Sequence, residues 1–319
     1  MASVIVSGVG QVIGYGIVRA LKLGNPRLRV IGTDIYPHAI GQTWCDRFVR
    51  CPLASDVSFP GFLQQLAKEE EAQCIFSGFP QEIPVLARLA GGILDQGTRV
   101  VLNTTNALLF GVDKWELATE ISRSSLCIET RLLTAASKFS DIASLLGVPF
   151  IIKPRNGFAS RGFATIANES DFERRAIKDG SFIAQRRVGC PEAEFTTAVY
   201  GDGEGGFAAA IAMRRVLGGE GNTVRAEVVL ETDFDEAHTE LCHLIKPVGP
   251  TNFQFRLDPS GEPRLLEINP RISSSTYMRA LCGYNEALMA YAHFVENTLP
   301  HQPDVEMKRF VRFAEDREW

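Results

Sequence analysis

The sequence predicts an α/β protein that opens with a Rossmann-like parallel sheet and continues into a differently organised second part. Three features point there: strands and helices alternate over residues 1–105, the texture changes at 106, and a polar hairpin stands at 249–273. The 319 residues are 45% hydrophobic and 22% charged, ample material for two or three subdomains. With a net charge of −5 there is no basic excess, so nucleic acid is not expected as a partner.

Residues 3–8, SVIVSG, form an apolar strand that stops at glycine; 14–23 have helical spacing, and 29–34, RVIGTD, are a second strand. A helix over 58–71, the strand 73–78, a helix over 82–94 and the strand 99–103 complete an alternation that implies a parallel sheet with helices on both faces. Gly8, Gly10, Gly14 and Gly16 follow the first strand and Asp34 closes the second, which raises the question of a dinucleotide site. The spacing is Gly-x-Gly-x-x-x-Gly, with Ile13 where the third glycine of the fingerprint belongs, so a tight structural turn is the favoured reading. The strand ends stay open to a substrate, as in other open α/β sheets.

From 106 a helical stretch runs to 125 and includes Asp113, a residue suited to a cap. A strand within 127–133, a helix near 139–146 and a strand ending in Lys153 follow. The next loop contains Asn156, Gly157, Ala159, Ser160 and Gly162 and returns as a strand over 163–166. Consecutive N–H groups in such a loop cradle phosphate, and Lys153, Arg155 and Arg161 add charge; a flexible basic hairpin is the plain alternative. The Walker pattern is missing. Strands at 181–189, 192–203, 207–215 and 224–231, a helix over 235–245 and, past the hairpin, a helix over 285–297 complete the reading. Residues 301–319 make either a closing strand or a partner contact. Seven scattered cysteines without a Cys-x-x-Cys pair argue against disulfides and zinc, and the five histidines have no metal-ligand spacing. Neither a signal peptide nor a membrane span is expected, and a cytoplasmic location fits.

In the hairpin, Glu267 and Asn269 lie two apart on a strand and share a face, while Leu266 and Ile268 point the other way. Residues 252–257 alternate polar with apolar, and Asp258, Pro259, Ser260 and Gly261 supply the turn. In matched register Gln254 lies across from the Glu267 and Asn269 pair, giving three side-chain oxygens on one face. Magnesium uses one or two carboxylates and leaves positions for substrate phosphates, so this set suits a metal that arrives with a polyphosphate. Spacing alone leaves an ordinary wet-faced hairpin equally open.

With these pieces in order, the sequence resembles the ATP-grasp superfamily, in its carbamoyl-phosphate-synthetase-like branch that includes small carboxylate-amine ligases. The resemblance extends to about residue 300 and is strongest at GPTNFQFRLDPSGEPRLLEINPRIS, residues 249–273. It implies an ATP-grasp fold divided into a Rossmann-like domain (1–105), a small ATP-grasp subdomain with a glycine-rich flap (106–184), a C-terminal ATP-grasp subdomain with the metal site (185–300) and an extension (301–319). It further implies that Gln254, Glu267 and Asn269 bind Mg2+, or Mn2+ in its place, across the ATP phosphates. Arg271 then meets the transferred phosphate, with Lys153 and Asn269 beside it in the catalytic set. Lys114 and Lys153 bind the nucleotide, with Gly157, Ser160, Arg161 and Gly162 in the flap. Gln185, Arg186, Arg187 and Val188 form the adenine hinge, and Glu194, or Glu192 in its stead, accepts from the ribose. Two departures stand out: many members have a carboxylate at Gln254 and a glutamate at the Gln185 to Arg186 hinge.

The activity implied is ATP-dependent ligation of a small-molecule carboxylate to an amine through an acyl phosphate. Phosphorylation of bicarbonate or carbamate, or ATP binding without chemistry, are the alternatives. Arg214, Arg215 and Arg225 stay open between surface and acceptor roles, with Arg215 preferred; Gly8 to Gln11 and Ser273 to Thr276 are candidate acceptor contacts, the serines being equally suited to a plain helix cap. A homodimer is compatible with the sequence.

Overall fold

The computed structural model describes residues 2–90, 97–157, 162–190, 193–219 and 221–315. The chain begins with β1 (Ser3–Val6), α1 (Val12–Gly24), β2 (Arg29–Asp34) and β3 (Arg47–Arg50). Next come α2 (Phe59–Glu69), β4 (Cys74–Phe76), α3 (Ile83–Ala90) and β5 (Arg99–Val100). The five strands form a parallel sheet in the order β3-β2-β1-β4-β5. Its central strands are buried on both faces, which is why they read as unbroken apolar runs. β3 is not among the expected strands: Arg47, Phe48, Val49 and Arg50 make a short, partly exposed edge whose two arginines hide the pattern.

α4 (Thr105–Val112) and α5 (Lys114–Glu120) replace the single helical stretch expected from 106. Asp113 leaves helical geometry and caps α5, accepting from the Trp115 and Glu116 backbone N–H groups at 3.0 and 3.2 Å.

β6 (Thr130–Leu132), α6 (Phe139–Leu146), β7 (Phe150–Pro154), β8 (Ala164–Ile166), α7 (Glu169–Arg175) and β9 (Phe182–Arg186) follow. They form an antiparallel sheet ordered β6-β9-β7-β8, closed by a core of its own that includes Ile142, Phe150, Ile152, Ile166 and Phe172. α7 goes unassigned by sequence pattern. Its signature is terminal: Asn168 caps it, acids open it and Arg174 and Arg175 close it.

The remainder comprises β10 (Glu194–Asp202), β11 (Phe207–Leu217), β12 (Thr223–Val229), α8 (Asp235–Ile245), β13 (Val248–Leu257), β14 (Pro263–Asn269), α9 (Thr276–Ala280), α10 (Glu286–Glu296) and β15 (Arg309–Val311). Six of these strands form one sheet, β14-β13-β10-β11-β12-β15, so a closing strand is what the C-terminal stretch provides. Tyr200, Ile211 and Met213 of this sheet share a core with Val4 and Val18 of the first unit and with Met278 and Tyr284. α10 seals that junction: Tyr291 donates its hydroxyl to Gln73 at 2.8 Å, and Asn285 at its cap donates to the Ala20 carbonyl at 2.7 Å. All seven cysteines are free, and no described helix is long and apolar enough to cross a membrane.

Candidate active site

β13 and β14 pair antiparallel with Gln254 opposite Glu267 and Asn252 opposite Asn269, and the register shifts just after Gln254. Gln254 therefore faces Glu267 directly, while the partner of Asn269 is Asn252, a residue the sequence reading did not single out. Asn252 is fully buried: its Oδ1 accepts from Arg279 Nη2 at 2.6 Å and from the Thr196 hydroxyl at 2.7 Å, and Arg279 in turn pairs with Glu286 at 3.2 Å. The available signal was Asn252's position two residues before Gln254 on the same strand face.

Both amide oxygens of the expected metal set have arginine donors. Gln254 Oε1 accepts from Arg215 Nη2 and Asn269 Oδ1 from Arg271 Nη2, each at 2.8 Å. The Glu267 carboxylate between them has no hydrogen-bond or ion-pair partner among the described residues. Lys153, at the end of β7, lies in its field. Burial brings the Lys153 ammonium down to about 8, with Glu267 opposing the shift and Lys114 and Arg256 adding to it. Lys114 opens α5 and donates to the Gly157 carbonyl at 2.7 Å.

Arg155 does not join this group: its guanidinium grips Asp113 at 2.8 Å and Glu116 at 3.0 Å, so its expected share of phosphate-binding charge goes to α5 instead. Gly162 has φ +75°, a left-handed value that favours glycine. Ser160, Arg161 and Glu192 lie outside the described residues. At the hinge, Gln185 is buried; its Nε2 donates to Thr130 Oγ1 at 3.0 Å while its Oε1 has no donor among the described residues. Arg186 and Arg187 are exposed, Arg186 donating to the Leu145 carbonyl at 2.8 Å, and Val188 is half-buried. Glu194 is buried between two arginines, one oxygen accepting from Arg215 and the other from Arg256, each at 2.8 Å at the shortest.

Two cavities meet at the hairpin. One, of about 160 Å³, is lined by Lys114, Lys153, Gly157, Gln185 and Glu194. The other, of about 610 Å³, is lined by Gln11, Phe79, Arg215, Asn252, Asn269 and Arg271, with Ser273 and Ser274 at its side. Gln254 and Glu267 line both and form the wall between them. Arg214 is instead tied to Glu227 on the sheet surface.

The glycines after β1 serve packing. A Cβ on Gly14 would lie 2.2 Å from the Gly8 carbonyl oxygen, and Asp34 folds back to accept from the Gly10 N–H at 2.8 Å and the Tyr36 N–H at 3.0 Å. The carboxylate that a dinucleotide ribose would need is thus engaged by the turn itself, as the structural reading of these glycines requires. Among the described residues no group of three or more His, Cys, Asp or Glu side chains is placed to hold a metal. A set of one carboxylate and two amides suits a hard cation only when phosphate oxygens complete its shell.

A family model described as "ATP-grasp in the biosynthetic pathway with Ter operon" matches residues 190–316. Across nearly the whole chain the fold is similar to N5-carboxyaminoimidazole synthetase from Staphylococcus aureus, solved with ADP, at a TM-score of 0.71 and 15% identity over 95% of this chain and 80% of that one. It is similar as well to the biotin carboxylase domain of 2-oxoglutarate carboxylase from Hydrogenobacter thermophilus, solved with MgADP, ADP and bicarbonate (TM-score 0.74, 15% identity, 96% and 72% covered). N5-carboxyaminoimidazole ribonucleotide synthetase from Thermotoga maritima gives a TM-score of 0.67 at 18% identity, with 94% and 78% covered. No curated protein matches the sequence.

Proposed function

We propose that this chain, ATP-grasp in fold, is an ATP-dependent carboxylate-amine ligase that forms an amide or peptide-like bond through an acyl phosphate. The carrying observation is the wall shared by two cavities: Glu267 and Gln254 border a space with two lysines on one side and a larger space with two arginines on the other. A triphosphate held in the first and a carboxylate held in the second meet at that wall. The ADP, MgADP and bicarbonate of the similar structures support this reading.

The residues fit the groups assigned to them. The buried Oε1 of Gln185 lacks a donor, which the exocyclic amine of adenine supplies, and the adenine edge lies against the backbone of Arg186, Arg187 and Val188. Lys114, Lys153 and Gly157 line the smaller cavity, where the two lysines offset triphosphate charge. Glu194 lines the same cavity; to accept from a ribose it shares an oxygen with its arginines. Glu267, without a partner among the described residues, fits a divalent cation, with Gln254 and Asn269 turning from Arg215 and Arg271 to join it. Bound there, Mg2+ neutralises charge on the phosphate oxygens.

On the other side, Arg215 and Arg271 orient the substrate carboxylate. Its oxygen attacks the γ-phosphorus as the bond to the bridging oxygen breaks and ADP departs; an amine then displaces phosphate. Positioning and charge neutralisation dominate such a transfer, and no histidine lines either cavity. Bicarbonate as the acid is a second reading, prompted by the Hydrogenobacter structure, but a cavity of about 610 Å³ is far larger than that anion requires. Seven free cysteines suit a reducing compartment, and we place the protein in the cytoplasm.

The test is Glu267→Ala. Acid-dependent ADP release falls by about 100-fold or more while the circular dichroism spectrum is kept; undiminished turnover refutes the site.

A further inference from the structure

We infer that a third cavity, at the carboxyl edge of the parallel sheet, receives the remote end of the substrate, and that this end is a primary ammonium on an apolar body. The word substrate rests on the ligase reading above; the cavity does not. It measures about 660 Å³ and is lined by Gly8 after β1, Asp34 at the end of β2, and Phe79 and Glu82 between β4 and α3. It lies where the strand order reverses, with β2 on one side of β1 and β4 on the other, the place where open α/β sheets bind ligands. Gln11 and Phe79 line this cavity and the 610 Å³ cavity alike, so the two are neighbours across those side chains.

The chemistry of the lining selects a cation. Glu82 is 95% buried; its Oε2 accepts from the Ser7 hydroxyl and, at 3.5 Å, from Ser77, while its Oε1 has no protein donor among the described residues. Burial, and then the charge of Asp34, push its carboxyl up to about 7, a state that a bound cation would relieve. Asp34 contributes negative potential, its own oxygens being engaged by the Gly10 and Tyr36 N–H groups. An anion meets repulsion from both.

The mouth is apolar. Tyr36, Leu53 and Val57 are 61%, 57% and 95% exposed and line the same cavity. Asp56 and Arg88 also line it, of opposite sign and both exposed, and largely cancel at a distance. An acidic floor under an apolar mouth fits an alkyl or aromatic amine. An ammonium held there is separated from the Glu267 wall by Gln11 and Phe79, so it anchors and does not react. The substrate is accordingly an extended molecule whose reacting group lies in the 610 Å³ cavity.

The test titrates the full chain with n-pentylammonium, 1-pentanol and adenosine, observing ligand NMR signals. Pentylammonium binds about tenfold tighter than pentanol, since a buried charge-assisted hydrogen bond separates them. Glu82→Gln erases that preference, and Val57→Trp at the exposed mouth weakens the amine about fivefold by occupying its space; MgATP affinity is unchanged in both. Equal binding of amine and alcohol, a preference that survives Glu82→Gln, an amine affinity untouched by Val57→Trp, or adenosine outcompeting the amine overturns the proposal. Glu267→Ala leaves pentylammonium binding intact, so failure of this subsite and failure of the ligase reading are separable.

Discussion

Lys153 and Glu82 are both shifted by burial, in opposite charge senses, and each has a measurable consequence. With its ammonium lowered to about 8, Lys153 is partly neutral at pH 8.5 in the free protein. On the proposed function a triphosphate restores the charge, so MgATP binding should take up a proton near that pH; calorimetry in two buffers of different ionisation enthalpy reads it, and Lys153→Met should abolish it. Glu82 has its carboxyl raised from 4.5 to about 7 on folding. The folded state holds that proton more tightly, so the stabilisation is complete below pH 4.5 and is lost as the pH rises through 7. Glu82→Gln is therefore more stable than the parent at pH 8, by about 3 kcal/mol, with the gap narrowing toward pH 5 in urea melts. Glu267 and Asn269 were legible as a pair because strand periodicity puts residues two apart on one face, whereas adding Gln254 took an assumed register and the metal role took the resemblance. Glu82, Asn252 and Arg279 were not, because their environments are assembled from distant segments: Ser7 and Asp34 around the first, Thr196 and Glu286 around the others.

Among elements, the long buried strands and helices announced themselves through sustained periodicity, whereas β3 and α7 are short and carry little of it. The break between α4 and α5 shows how one residue redirects an element. Asp113 caps α5, pairs with Arg155 and so places Lys114 at the cavity rim. Asp113→Ala should cost about 1 to 2 kcal/mol in stability through the lost cap, and it should raise the KM for ATP more than it lowers kcat. An unchanged KM would detach Lys114 from the nucleotide. In the first turn, Gly14→Ala forces a Cβ to within 2.2 Å of the Gly8 carbonyl oxygen, a backbone clash that should cost about 1 to 3 kcal/mol on thermal denaturation.

At the scale of the whole molecule, the chain's last helices return to its first sheet, and one core runs from Val4 through Tyr200 to Tyr291. The sheet of β6 to β9 has a separate core drawn wholly from residues 133–184. Native-state hydrogen exchange should find β7 and β9 opening at lower free energy than β1 and β10, and MgATP should close that difference; identical opening energies would show a single cooperative unit. A resemblance reaching residue 300 foresaw the kinds of sheet present, but the merging of the first and last segments into one core is a tertiary fact with no local signature. The double-sided placement of Gln254 and Glu267 has a thermodynamic corollary. Whatever factor an occupant on one side of that partition gives to the affinity on the other side, the second occupant must by reciprocity give back to the first, whichever arrives first.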